Sequence, residues 1–241
     1  PQTLEHLAIL DLLNIRSGVV ALTKTDRVSS QRVGEVIQQI HALLDGTSLS
    51  GADIFPVSAI DGSGIDVLAK ALDTAAGELS ARSPEGFFRL AVDRCFTVKG
   101  SGVVVTGSVF SGNLAQGDEV FLQPGNLPAR VRGLHTQNQP ASEAHVGDRC
   151  AVNIAGVSKD EIKRGYWLTT NKQHPVTSRF DVDLSVLATE NKPLRHWTPV
   201  HVHAAAAHAT GRIATLESGN IPPGSRGLVQ VVTKEPLPLC F

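Results

Sequence analysis

The sequence predicts an α/β segment, a parallel sheet covered by helices, followed by two β-barrels. Helical and strand periods alternate before residue 80, which implies parallel strands joined by helical crossovers. Beyond residue 88, β-branched runs punctuated by glycine take over, the pattern of short barrel strands. Polar breaks at 80–86 (SARSPEG) and 171–175 (NKQHP) separate the parts, giving expected domains at 1–82, 83–172 and 173–241, the last expected as a C-terminally truncated barrel.

From Thr3 to Leu13 apolar residues crowd one side of a helix, and Gly18 to Leu22 is a short apolar run of the kind found in a buried parallel strand. Val33, Val36, Ile37, Ile40 and Leu44 then recur at helical spacing, and Asp53 to Val57 supplies a second strand. Ile65, Leu68, Leu72, Ala75 and Leu79 mark a third helix, with Ser63 and Asp66 at capping-box spacing. Strands are expected near Phe88–Val98, Val103–Phe110, Glu119–Gln123, Ala129–Thr136, Arg149–Ile154 and Tyr166–Thr169. A second set is expected near Arg179–Leu187, Val200–Ala206, Gly211–Leu216 and Gly227–Val232.

The 22 basic and 23 acidic residues leave a net charge of −1, so any nucleic acid must be met by a local patch. Cys95, Cys150 and Cys240 form no CxxC pair, which fits reduced thiols and names no nucleophile. No apolar run approaches the roughly 20 residues of a membrane span. The expectation is a cytoplasmic protein with no membrane partner. The chain has no methionine, and its first residue is Pro1, which is expected of a piece of a longer protein.

Thr23-Lys24-Thr25-Asp26 stands where a buried strand ends, the place where ligands bind in open α/β sheets. A carboxylate there can accept from both N1 and N2 of a guanine, a donor pair adenine lacks. A strand-to-loop turn with solvated charges accounts for the same string. Val57-Ser58-Ala59-Ile60 follows the next strand. Asp93 and Arg94 are neighbours in the first barrel strand and should point to opposite faces, so each needs a partner from elsewhere. Rim charges satisfied by solvent are the plainer reading. His201, His203 and His208 lack the Cys or carboxylate that would complete a metal site, and HVHAAAAH reads as a packed strand. Arg195, Trp197, His208 and Arg212 could alternatively meet an RNA arm through phosphate contacts and stacking. No metal site and no catalytic residue is expected.

The string FTVKGSGVVVTGSVFSG resembles the opening hairpin of the second domain of translational GTPases of the elongation factor Tu type. LAVDRCFTVKGSGVVVTGSV, LHTQNQP, NIAG, RGYWL and HVHAAAAHATGRI together resemble the selenocysteine-specific elongation factors, and the likeness spans nearly the whole chain. The resemblance implies guanine binding by Thr23, Lys24, Asp26, Ser58 and Ala59, with Thr23 where most GTPases carry Asn. It implies a selenocysteinyl pocket formed by Asp93, Arg94 and Arg149. It also implies GTP or GDP with magnesium in the intact protein, delivery of selenocysteinyl-tRNA to the ribosome, and an mRNA hairpin held by a region outside this chain. No GxxxxGK[ST] string occurs, so this stretch alone should hold nucleotide weakly or not at all and should not hydrolyse GTP. Another translational GTPase carrying ordinary or initiator tRNA, or a non-enzymatic β-barrel module binding RNA or protein, are the alternatives.

Overall fold

Short apolar runs separated by amphipathic helices build the first part of the chain. In the computed structural model, which describes residues 2–78, 83, 85–217 and 219–239, the chain forms two compact units, 1–81 and 82–241. Leu79, most of the expected linker (80–82 and 84), Pro1 and Cys240 lie outside the described residues.

The first unit runs α1 (Gln2–Leu12), β1 (Val20–Leu22), a 3-10 turn (Thr25–Arg27), α2 (Ser30–Leu44), β2 (Ile54–Pro56) and α3 (Ile65–Glu78). β1 and β2 pair in parallel, Val20 opposite Ile54 and Leu22 opposite Pro56. Ser29 caps α2 by accepting from the Arg32 N–H at 3.3 Å. α3 is entered through Gly64 and not through a Ser63 capping box: its first helical bond runs from the Leu68 N–H to the Gly64 carbonyl at 3.1 Å. Gly64 is needed there because its φ is +73° and a Cβ would run into the Pro56 carbonyl. Among the described apolar residues of this unit, Leu44 and Val57 are buried, while Leu4, Leu13, Ile60, Val67 and Leu72 are exposed.

The second unit opens with β3 (Arg89–Val98) and β4 (Gly102–Ser111), continues through β5 (Asn113–Ala115), β6 (Glu119–Gln123), β7 (Leu127–Thr136), β8 (Gln139–Ala141) and β9 (Glu143–His145), and reaches β10 (Arg149–Ala155) and β11 (Trp167–Thr169). Pairing runs β10-β4-β3-β11-β6-β7, and β7 pairs back to β10, which closes a six-strand barrel. Its inward residues Leu90, Val92, Val105, Val120, Leu122, Val152 and Leu168 are all fully buried. β5 and β9 form a small separate ribbon.

β12 (Val176–Ser185), β13 (Thr198–Ala204), β14 (Ala207–Thr215) and β15 (Arg226–Pro238) follow, ordered β12-β15-β14-β13 in an antiparallel sheet. Among the described residues these four strands form a sheet that does not close on itself, as expected of the incomplete second barrel. HVHAAAAH, expected as one strand, is a hairpin that turns at Ala205 with φ +51° and pairs His203 with His208. The turn carries no Gly, Asn or Asp, so no turn residue announced it. No helix is long and apolar enough to cross a membrane.

Candidate functional site

β3 departs from strict alternation at the residues of interest. Val92 is opposite Gly107 and Arg94 opposite Thr106, leaving Asp93 as the extra residue of a β-bulge. Leu90 and Val92 point into the core before the bulge and Cys95 packs against it afterwards, so the inward parity changes across Asp93 and Arg94. Both therefore lie on the outer face, which corrects the opposite-face expectation. The sequence held a clue: in unbroken alternation Arg94 shares the phase of Leu90 and Val92 and would be buried.

Arg149 opens β10, opposite Ser108 of β4. Its Nη1 lies 2.6 Å from Asp93 Oδ2, while the Thr106 hydroxyl donates to Asp93 Oδ1 at 2.8 Å. Burial raises the Asp93 carboxyl, but hydrogen bonds from Arg149 and Thr106 and the charges of Arg149 and Arg94 outweigh it and hold it below the ordinary carboxylate value. The Arg149 guanidinium is raised in turn, first by its hydrogen bond to Asp93. Arg94 and Arg149 share a depression of about 600 Å³ with Phe96, Thr106, His135 and Gln137. Cys150, also on its wall, is 3 % exposed, and burial followed by the Asp148 charge pushes its thiol up to about 12, so it is no nucleophile.

Thr23, Lys24 and Asp26 follow β1, and Ser58 and Ala59 follow β2, so the parallel register brings both strings to one end of the sheet. The Thr25 N–H donates to the Val57 carbonyl at 3.4 Å, tying the loops together. Lys24 is left-handed at φ +63°. Thr23, Lys24, Asp26 and Ala59 are exposed, whereas Ser58 is fully buried and accepts from the Ile60 N–H at 3.2 Å. Ser58 thus shapes its loop and presents Ala59 at the surface.

On the last sheet Trp197 is left-handed at φ +67°; its N–H donates to the Ile213 carbonyl at 2.6 Å and its carbonyl accepts from Arg212 Nη1 at 3.0 Å. Trp197 and Arg212 line a groove of about 450 Å³ with His201 and Lys234. His196, which sequence reasoning passed over, stacks on Trp197 with centroids 5.7 Å apart. Arg195 precedes this pair and its carbonyl accepts from the Thr198 hydroxyl at 2.7 Å. His208 is not part of the groove: it stacks on His203, 6.2 Å away. Among the described residues no three His, Cys, Asp or Glu side chains come together as a metal site.

Comparison with known proteins matches residues 1–78 to the elongation factor Tu GTP binding domain and 102–169 to elongation factor Tu domain 2. Residues 181–241 match the β-barrel domain of selenocysteine-specific elongation factor. The selenocysteine-specific elongation factor of Escherichia coli K12 is 44% identical over 219 residues, covering 90% of this chain and 34% of that protein. The apo crystal structure of translation elongation factor SelB from Methanococcus maripaludis superposes with a TM-score of 0.87 at 25% identity, over 98% of this chain and 55% of that one. A bacterial selenocysteine-specific elongation factor EF-Sec gives a TM-score of 0.84 at 26% identity, over 99% and 38%. The chain spans between 34% and 38% of the length of the three curated relatives it matches first. With three family matches tiling the sequence in the order of that architecture, the chain belongs to the selenocysteine-specific elongation factor family of translational GTPases.

Proposed function

We propose that this chain supplies the guanine-reading half of a nucleotide domain and the aminoacyl pocket of a factor that, in its GTP form, delivers selenocysteinyl-tRNA to the ribosome. The observation that carries it is that Arg94 and Arg149 line one outer depression of the closed barrel, with Asp93 ion-paired to Arg149. A selenol ionises far more readily than the hydroxyl of serine, and guanidinium donors favour the ionised form through charge-assisted hydrogen bonds. Asp93 orients Arg149. In this reading the domains are 1–82, 83–172 and 173–241, and the protein acts in the cytoplasm.

At the nucleotide edge the residues fit a guanine. Asp26 offers an exposed carboxylate to the N1 and N2 donors, Lys24 an alkyl stem to the ring face, and Ala59 a backbone N–H for O6, with Thr23 and Ser58 shaping the two loops. Bound GTP would supply the phosphates that report the loaded state, and those phosphates with magnesium belong to the rest of the domain in the intact factor. Arg195, Trp197 and Arg212 present a ring and cations suited to an RNA arm, with His208 on a neighbouring row of the same sheet. The mRNA hairpin is assigned to a region outside this chain.

Replacing Arg94 or Arg149 by Ala in the full-length factor should reduce discrimination between selenocysteinyl-tRNA and seryl-tRNA. The loss should be about 10- to 150-fold, the equivalent of roughly 1.5–3 kcal/mol for a hydrogen bond to a charged group, with GTP affinity unchanged. Equal losses for both tRNAs, or none, overturn the pocket.

A further inference from the structure

The two arginines of the depression are not equivalent. Asp93 uses both oxygens: Oδ2 meets Arg149 Nη1 at 2.6 Å and Oδ1 accepts from the Thr106 hydroxyl at 2.8 Å. A carboxylate tied at both ends is not free to turn. Arg94 is the next residue in the bulge, on the same outer face and directly opposite Thr106 in register, yet among the described residues it makes no ion pair or side-chain hydrogen bond. The carboxylate on the wall of the depression, Asp148, is engaged elsewhere: its Oδ2 accepts from the His145 N–H at 2.8 Å. The depression therefore holds one neutralised guanidinium and one uncommitted one.

We propose that Thr106 is a specificity-determining positioning residue, whose hydroxyl clamps Asp93 onto Arg149 and so keeps Arg94 free to receive an anionic aminoacyl side chain. The inference rests on the pocket proposed above and assigns a division of labour within it. Without the hydroxyl, Asp93 keeps one tether and gains a competing partner in the adjacent Arg94. A neutralised Arg94 offers a selenolate little more than it offers the hydroxyl of serine, so what is lost is discrimination and not binding in general. Thr106 sits mid-strand, half-buried between the buried residues Val105 and Gly107. Valine fits the same space and the same extended backbone, which makes the deletion of the hydroxyl a clean change.

The experiment measures selenocysteinyl-tRNA and seryl-tRNA affinities of the full-length factor in its GTP form, for Thr106→Val, Thr106→Ser, Arg94→Ala and Arg149→Ala. Thr106→Val should lower the affinity ratio by about tenfold, the scale of one hydrogen bond to a charged group, with GTP affinity unchanged. Thr106→Ser, which keeps the hydroxyl and loses the methyl, should stay near the parent ratio. An unchanged ratio in Thr106→Val overturns the proposal, as does equal impairment of the Ser and Val variants, which marks a packing role. If the arginine variants lose discrimination while Thr106→Val does not, the pocket stands and the clamp fails; if none of the four changes the ratio, both fail.

Discussion

At the scale of single residues, burial decides chemistry more than residue type does. His174 is 5 % exposed beside Trp167, ring centroids 6.0 Å apart, and its Nε2 is buried without a hydrogen-bond partner among the described residues. Burial first, and the Arg89 charge second, lower its pKa from the ordinary 6.5, so the folded chain keeps the ring neutral. The sign follows directly. Above 6.5 the residue is neutral whether folded or unfolded; as pH falls below that value the unfolded chain takes up the proton first, and stability is lost down through the lowered folded value. Each unit of depression corresponds to about 1.4 kcal/mol. Denaturant midpoints measured between pH 7 and pH 5 should fall more steeply for the parent than for His174→Phe. Parallel slopes would show that the ring titrates normally. Nothing in NKQHP distinguished this buried ring from a solvated linker residue, because burial is a property of what folds over it.

Among the elements, the β3–β4 pair carries the site, and its irregularity is the useful part. Gly107 lies opposite Val92 at the edge of the bulge, where a Cβ would overlap the Ala91 carbonyl and press the Leu90 side chain at 2.8 Å. The strands approach closely because one of them has no side chain at that point. Gly107→Ala should therefore destabilise the chain by about 1–3 kcal/mol in chemical denaturation, the range for overpacking, and a change within a few tenths would show that the strands part at no cost. Periodicity made both strands legible, and the charged string DRC within an apolar run marked where to look. The bulge itself followed from pairing, since only the partner strand defines which residue is extra. For the same reason α3 begins at Gly64: the Pro56 carbonyl that excludes a side chain belongs to another element.

Within the second unit, the barrel and the open sheet that follows it meet at a point where neither tolerates added bulk. Gly165, with φ +92°, donates its N–H to the Val92 carbonyl at 2.8 Å, and a Cβ on it would lie 2.6 Å from Ala207 Cα at the start of β14. Gly165→Ala should loosen this junction while leaving the barrel closed; limited proteolysis should cut faster near 171–175, and unchanged cleavage would show that the contact contributes little to cohesion. Local spacing by itself determined the kinds and order of the longer elements, because helical and extended periods are written within a few residues of each other, but not the three-residue strands β5, β8 and β9. It also placed the two strings Thr23–Asp26 and Ser58–Ala59 at strand ends, where a parallel register had to bring them together. Tertiary structure alone decided which strand closes the ring, where β13 turns back at Ala205, and that Asp93 is committed to Arg149 and Thr106 while Arg94 is left free. Those outcomes depend on residues far apart in the chain competing for the same hydrogen bonds and the same space, and no local pattern contains the result of that competition.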